Sequence, residues 1–374
     1  MKIVLAPDKF KGSMTAQEAA EIEKQAFLSV IPGCQILCVP LADGGEGTVK
    51  ALTAANGGTL HTACVHDPLF RMTKAEFGLS GKTAFLEMAE ASGMALLQKE
   101  ELDPLKTSTF GTGELIKKAL DCGIDDIIIG IGGSTTVDGG TGMAEALGYV
   151  FLDAQGKTIT GLCGSKLASI SAIDAAGADP RLKNCRIRIA SDVTNPLLGA
   201  NGAVAVFAPQ KGATPGMLPL LEEGLAHLYS CLKKQQMIGK TLPGDGAAGG
   251  LGLGLRAFCG ASSESGARLA IRAVRLEEKI ANADWVVTGE GCSDAQTDNG
   301  KLCSEIAALC RKKGVPCALL SGKILGTAAP AFAKMQATVS ADTPFESIRE
   351  RTKELLYEAA CALARELLKE SRIK

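Results

Sequence analysis

Acidic side chains recur in glycine-rich segments of this 374-residue chain, each directly after a short apolar run. Their carboxylates could accept a substrate proton or hold a divalent cation through oxygen. Backbone N–H groups at a helix start can bind phosphate or carboxylate, and glycine lets a ligand approach closely. The four segments are PDKFKGS (7–13), LADGGEGT (41–48), GGSTTVDGG (132–140) and GEGCSD (289–294). Each alone could be a capped turn, but their repetition favours a site that handles phosphate.

Three further segments carry candidate residues whose role the sequence leaves open. Asp192, in SDVTNP (191–196), could be a base or a metal ligand, or it could close an Asx turn. Lys211, in PQKG (209–212), could contact phosphate, or it could be a solvated surface lysine. Six glycines between residues 243 and 254 predict either a mobile lid or a close-packed turn.

Strands and helices have to position these segments, and the hydrophobic pattern predicts both. A capping box formed by Thr15 and Glu18 starts the first helix, whose apolar face runs to Val30. The predicted strands are 2–6, 34–41, 126–131, 186–193, 203–208, 285–288, 316–320 and 337–339, with a hairpin of 74–79 and 82–88. The other predicted helices are 46–55, 114–121, 216–236, 302–313 and a last one that opens at 343–346. Parallel sheets bind ligands beyond the carboxyl ends of their strands, where the glycine-rich segments fall.

The distribution of these elements predicts two domains. Strands and helices alternate regularly in the first sixty residues and again from about residue 284, whereas the middle of the chain is less regular. We therefore predict an α/β protein in which both termini build a parallel-sheet domain, residues 1–64 plus 275–374. A second α/β domain, residues 65–274, is inserted in it. The length of the chain agrees with two domains.

Composition excludes several classes of function. The net charge is −1 and Phe, Tyr and Trp total only 15, which disfavours a nucleic-acid partner. Thirteen cysteines without a C-x-x-C pair, beside three histidines, indicate reduced thiols in the cytoplasm and no zinc site. No apolar run is long enough to predict a membrane span. The P-loop, dinucleotide and protein-kinase motifs do not occur, which also disfavours an NAD dehydrogenase.

Eight segments together resemble the type I glycerate kinases, in the order of that family and across almost the whole chain. They are APDKFKGS (6–13), LADGGEGT (41–48), TFGTGE (109–114), 130–140, 191–199, VFAPQKGA (206–213), GAAGGLG (246–252) and 288–300. Three places depart from the family pattern. Val137 stands where Asn is usual, Cys292 with Ser293 where Arg-Ile is frequent, and Ala267-Arg268 where an aliphatic-acidic pair is usual.

The resemblance implies a two-domain kinase with a Rossmann-like (flavodoxin-like) domain and an active site in the interdomain cleft. It implies phosphorylation of D-glycerate by ATP with Mg²⁺, usually at the 2-hydroxyl. The partners would be D-glycerate and ATP, without nucleic acid or membrane, and the enzyme would be a monomer or homodimer. The alternatives are a glycerate 3-kinase, a kinase of a related small hydroxy acid, and a nonenzymatic protein that senses glycerate.

The residues suggest roles within such a site. Asp192 or Asp43 would accept the proton of the glycerate hydroxyl, and the other of these two, or Asp294, would help to hold Mg²⁺ through oxygen. The candidates for binding substrate or phosphate are Asp8, Lys11, Ser13, Gly44, Gly45, Gly132, Gly133, Ser134, Lys211, Gly289, Glu290 and Gly291. The sequence does not say which glycine-rich segment binds ATP and which binds glycerate.

Overall fold

The structure is a computed structural model that describes residues 1–10, 12–41, 47–293, 302–325 and 332–371. The strands in chain order are β1 (Lys2–Pro7), β2 (Gln35–Cys38), β3 (Thr59–His66), β4 (Met72–Ser80), β5 (Thr83–Glu87), β6 (Asp126–Gly130), β7 (Val150–Leu152), β8 (Thr158–Ile159), β9 (Ala172–Asp174), β10 (Arg186–Ala190), β11 (Ser262–Glu264), β12 (Trp285–Gly289), β13 (Cys292–Ser293), β14 (Cys317–Ser321), β15 (Lys323–Ile324) and β16 (Lys334–Ala337).

The α-helices pack around these strands. In chain order they are α1 (Ala16–Val30), α2 (Thr48–Ala55), α3 (Ala89–Ser92), α4 (Phe110–Asp121), α5 (Thr141–Ala146), α6 (Ala203–Phe207), α7 (Met217–Lys234), α8 (Ala247–Cys259), α9 (Gly266–Ala273), α10 (Leu276–Ile280), α11 (Leu302–Lys313) and α12 (Thr352–Ser371). Within the described ranges, no helix has the length and apolar character that crossing a membrane requires.

The first compact unit comprises residues 1–43, 54–56 and 265–374. Its main sheet has the order β16-β14-β12-β1-β2, and all neighbouring strands are parallel. The central strands β1 and β12 are almost entirely buried, which explains their unbroken apolar sequences. Helix α1 packs against α12, and its N-terminus has the predicted capping box, in which Thr15 and Glu18 accept each other's backbone N–H. Both chain ends thus build one parallel sheet, as predicted.

The second compact unit comprises residues 44–53 and 57–264. Its main sheet has the order β11-β10-β6-β5-β4-β3. The strands from β11 to β5 are parallel to one another, and β4 pairs antiparallel with both β5 and β3. The predicted hairpin is β4–β5. Strand β3 pairs with β4 along residues 59–66, so residues 59–64 belong to this sheet and not to that of the first unit. A small sheet of β8, β7 and β9 completes the unit.

Three sequence predictions are wrong at the level of single elements. Residues 203–207 form helix α6 and not a strand, because this apolar segment packs against α7 and α8 and that packing overrides the strand preference of its valines. The last α-helix begins at Thr352, because the chain before it forms only short 3₁₀ turns, at Phe345–Ser347 and Arg349–Arg351. The strand predicted at 337–339 lies at Lys334–Ala337.

Candidate functional site

The carboxyl ends of β5, β6 and β10 lie side by side in the second unit. Gly130 is in register with Glu87 on one side and with Ala190 on the other. The predicted segments 132–134 and 191–193 therefore leave neighbouring parallel strands at the same edge of the sheet, which is where such sheets bind ligands.

A cavity of about 130 Å³ lies at this edge. That volume is far above the ~10–15 Å³ that one water molecule needs. Its lining residues are Met94, Ile131, Gly132, Gly133, Ser134, Val193, Phe207, Gln210, Lys211 and Ala248. Four of the predicted binding residues, Gly132, Gly133, Ser134 and Lys211, thus line one pocket.

Lys211 is the cation of this pocket, and it is buried rather than solvated, with 1 % of its surface exposed. Its Nζ donates to Ser134 Oγ and to the backbone oxygen of Thr136, both at 2.7 Å. Burial lowers the pKa of Lys211 to about 7, although buried Asp138 acts in the opposite direction. Among the described residues, Lys211 forms no ion pair, and a buried cation without a counter-ion is costly. The pocket therefore favours an anionic ligand.

Asp138, in the same glycine-rich segment, has a structural role. It is fully buried and accepts from the backbone N–H and the hydroxyl of Thr109 at 2.8 and 2.7 Å. It also accepts from the backbone N–H of Gly140 and of Gly142 at 3.1 and 3.3 Å. Burial raises its pKa despite these four donors. Asp138 thereby ties the starts of α4 and α5 together, and its oxygens are already engaged.

The glycine-rich segment 243–254 is closely packed, and it contains a left-handed turn at residues 248–250 within the start of α8. A Cβ on Gly246 would lie 2.0 Å from the backbone oxygen of Pro196, and one on Gly249 would lie 2.0 Å from that of Thr136. Ala248, which lines the pocket, has φ +53° and is followed by two glycines that also have positive φ. The left-handed turn at residues 248–250 lets the start of α8 approach the segments that form the pocket.

Asp192 is exposed and follows the end of β10, and its neighbour Val193 lines the pocket. The turn at this place is closed by Ser191, whose Oγ accepts from the backbone N–H of Val193 at 3.2 Å. Gly246 N–H donates to the backbone oxygen of Asn195 at 3.1 Å and supports the same segment. Asp192 is thus held at the edge of the sheet next to the pocket.

Glu87 is a residue of this edge that the sequence analysis missed. It ends β5, and its carboxylate accepts from the backbone N–H of Val49 at 2.8 Å and of Gly47 at 3.3 Å. A carboxylate thus already occupies the N-terminus of α2, where an anionic ligand would otherwise bind. The predicted residues Asp43, Gly44 and Gly45 just before it lie outside the described residues. The sequence offered no specific signal for this contact, only the general rule that the N-terminus of a helix favours an acidic side chain.

The first unit brings together Asp8 and the segment after β12. Strands β1 and β12 are neighbours, and the backbone N–H of Asp8 donates to the backbone oxygen of Gly289 at 2.8 Å. A Cβ on Gly289 would lie 1.9 Å from the backbone oxygen of Leu320, so the close strand approach requires glycine. Ser13 donates through Oγ to the backbone oxygen of Phe10 at 3.0 Å and closes a turn. Lys11 and Asp294 lie outside the described residues.

Glu290 and Gly291 are held by the end of β14, a second feature that the sequence analysis missed. Ser293 Oγ donates to Glu290 Oε1 at 3.1 Å, and Gly322 N–H donates to the backbone oxygen of Glu290 at 2.9 Å. Lys323 N–H donates to the backbone oxygen of Gly291 at 3.1 Å. The sequence carried a signal for this feature. Ser321-Gly322-Lys323 comes at the end of an apolar run, and the other candidate segments likewise place glycine and polar residues after an apolar run.

The three departures from the family pattern lie in different environments. Val137 is fully buried in the core of the second unit. Cys292 is exposed. Arg268 pairs with Glu305 on α11, with Nη2 2.9 Å from Oε1.

The comparison with protein families decides the assignment. The model described as the glycerate kinase family matches residues 3–368. The chain belongs to the glycerate kinase family. Membership identifies it as a phosphotransferase with an alcohol group as acceptor.

Individual relatives of this glycerate kinase family member agree. The Escherichia coli (strain K12) protein named glycerate 2-kinase is 47 % identical over 327 residues, which cover 87 % of this chain and 86 % of the relative. The Bacillus subtilis (strain 168) protein named glycerate kinase is 45 % identical over 329 residues, 87 % and 85 % of the two chains. A crystal structure from Salmonella typhimurium LT2, provisionally described as glycerate kinase 2, matches with a TM-score of 0.90 and 41 % identity, over 100 % and 99 % of the two chains.

Proposed function

We propose that this chain transfers the γ-phosphoryl group of ATP to the 2-hydroxyl of D-glycerate and forms 2-phosphoglycerate. The observation that carries the proposal is the pocket with buried Lys211, which has the charge and size to bind a small organic anion. The names of relatives in the same family, one of them a glycerate 2-kinase, support the choice of acceptor and of hydroxyl.

The reaction needs placement more than covalent chemistry from the protein. A bond forms between the glycerate oxygen and the γ-phosphorus, the bond from that phosphorus to the β–γ bridging oxygen breaks, and ADP leaves. The hydroxyl proton passes to a carboxylate, and we assign this role to Asp192 or Asp43. Gly132 and Gly133 support the assignment of this edge, because their N–H groups have no acceptor among the described residues and glycine at this place admits a ligand.

Mg²⁺ is part of the proposal, and the residues present fit it. This ion is usually held by one or two carboxylates together with substrate phosphates, rather than by a cage of protein ligands. The described ranges contain no group of three or more His, Cys, Asp and Glu side chains that could hold a metal, while the exposed carboxylate of Asp192 lies beside the pocket. Asp192 or Asp294 would hold the ion. When bound, it neutralises charge on the phosphates.

The residues that bind the substrates are part of the proposal as well. We propose that Asp8, Gly289, Glu290 and Gly291 at the edge of the first unit take part in binding, and that Lys211 does so at the edge of the second unit. A cytoplasmic location goes with this function, and the unpaired state of all thirteen cysteines supports it.

The test is turnover of ATP by the purified protein with D-glycerate and Mg²⁺, with the product identified by NMR. We expect 2-phosphoglycerate. Formation of 3-phosphoglycerate would overturn the assignment of the hydroxyl, and faster turnover of another small hydroxy acid would overturn the assignment of the acceptor. Binding of glycerate without any turnover would instead identify a sensor. The same assay without glycerate gives the background hydrolysis of ATP.

A further inference from the structure

The pocket of the second unit offers more than a positive charge. An ammonium group has three N–H donors, and two of those on Lys211 are taken by Ser134 Oγ and the backbone oxygen of Thr136. Ser134 Oγ accepts from Lys211 and keeps its own proton, for which the described residues provide no acceptor. One N–H of Lys211 and the O–H of Ser134 are therefore left for a ligand. The two donor atoms, Lys211 Nζ and Ser134 Oγ, are 2.7 Å apart.

We infer that this pocket binds the carboxylate of the acceptor through Lys211 and Ser134, and that the phosphates of the nucleotide bind elsewhere. The inference rests on the proposed function and deepens it. A carboxylate has two oxygens for the two remaining donors and one negative charge for the one buried cation.

Charge and size argue against the nucleotide. A nucleoside triphosphate carries several negative charges and is usually bound by several donors and a metal ion. Among the described residues that line the pocket, Lys211 is the only Lys or Arg. A pocket for a ligand of drug size usually has about 300–1,000 Å³, whereas this cavity has about 130 Å³. A three-carbon acid matches it better.

The rest of the lining gives the acceptor an orientation. Met94, Ile131, Val193, Phe207 and Ala248 are apolar and provide contacts for a short carbon chain. Lys211 and Ser134 are buried, whereas Gly132 and Gly133 are exposed. A carboxylate on the buried pair would direct the hydroxyls of the acceptor to the exposed side, where Asp192 follows Ser191. The phosphoryl group would be received there.

Steady-state kinetics with both substrates tests the inference. In Lys211→Met and in Ser134→Ala, we expect the KM for D-glycerate to rise, by about 10- to 150-fold when the charged partner is lost, and the KM for ATP to stay within about twofold. Lys183→Met is the matched control, because it removes an exposed lysine of the same unit and should leave both KM values unchanged. A larger rise in the KM for ATP than for glycerate would overturn the inference.

The wild-type protein provides a second test that does not depend on the folding of a variant. Glyceramide, the neutral amide of glycerate, keeps the hydroxyls and lacks the charge, so we expect it to compete with D-glycerate at least tenfold more weakly than L-glycerate or lactate does. Equal competition by the amide would overturn the role of the carboxylate. Failure of the wild-type protein to phosphorylate glycerate would refute the proposed function itself. If the wild-type protein turns over normally and Lys211→Met raises only the KM for ATP, the pocket assignment alone is refuted.

Discussion

Lys211 Nζ lies 2.7 Å from Ser134 Oγ, although 77 residues separate the two in sequence. The contact joins the turn after α6 to the segment after β6, and both line the same pocket. The lysine therefore has a fixed position before any ligand arrives. Because no ion pair within the described residues compensates its charge, the protonation of this lysine should depend on what the pocket holds.

The first prediction concerns pH. Burial lowers the pKa of Lys211 to about 7, so the ammonium form, which attracts a carboxylate, decreases above pH 7 in the free enzyme. We expect the KM for D-glycerate to rise about tenfold per pH unit above pH 7 and to level off below it. The KM for ATP, measured in the same buffers, is the internal control. A glycerate KM that is constant from pH 6.5 to 9 would contradict the role of Lys211.

The second prediction concerns Asp192. Asp192→Asn keeps the size of the side chain and removes its charge, so a base or a metal ligand is lost. We expect kcat to fall by about 10²- to 10⁴-fold, while the stability changes by less than ~1 kcal/mol because the residue is exposed. The kcat and the Tm are measured on the same preparation. Near-normal turnover in a folded Asn variant would leave Asp192 with a structural role, and Asp43 would become the leading carboxylate.

The third prediction concerns Glu23, a fully buried carboxyl group on α1. Among the residues that the structure describes, neither of its oxygens has a hydrogen-bond partner, and burial raises its pKa well above the ordinary value of 4.5. As the pH rises through 4.5, the unfolded chain loses this proton while the folded chain keeps it, so the free energy of unfolding falls. The contribution is about 1.4 kcal/mol per pH unit until the pKa of the folded state is reached.

Glu23→Gln removes this contribution without changing the shape of the side chain. We expect the free energy of unfolding of the variant to depend less on pH than that of the wild type. The stability of the variant relative to the wild type should therefore be greater at pH 8 than at pH 5. Urea denaturation of both proteins at the two pH values measures the difference. If the two stability curves run parallel, Glu23 is not a source of the pH dependence.

The fourth prediction concerns the close packing behind residues 191–196. In Gly246→Ala the new methyl group would lie 2.0 Å from the backbone oxygen of Pro196, so one of the two segments has to move. We expect a loss of about 1–3 kcal/mol in the free energy of unfolding and a lower kcat, because Asp192 is in the displaced segment. Gly216→Ala is the matched control, since its methyl group would meet nothing within 4 Å. An equal effect of both substitutions would argue against this account.

Features with a local cause could be predicted from the sequence. The capping box of Thr15 and Glu18 depends on residues three apart, and the seven-residue spacing of Cys303 and Cys310 buries both on α11, with 1 % and 0 % of their surfaces exposed. The apolar sequences of β1, β6 and β12 led to the parallel sheets and to the segments at their carboxyl ends. The prediction of thirteen unpaired cysteines is confirmed by the structure.

Features that depend on distant partners could not be predicted. The partners of Lys211 lie 75 and 77 residues away, and those of Glu87 lie 38 and 40 residues away. Residue types in one segment do not reveal such contacts. Helix α6 shows the same limit, because its alternating valines favour a strand until α7 and α8 pack against them.

The first unit is interrupted in the chain, and this has a consequence for its synthesis. Strand β1 has β2 as one neighbour and β12 as the other, with Ile3 opposite Trp285. A ribosome makes the chain from its N-terminus, so β1 is finished some 280 residues before the strand that covers its second edge. The strands of the second unit all lie between residues 59 and 264, so they are complete earlier. During translation, β1 therefore has one unpaired edge while the inserted unit forms.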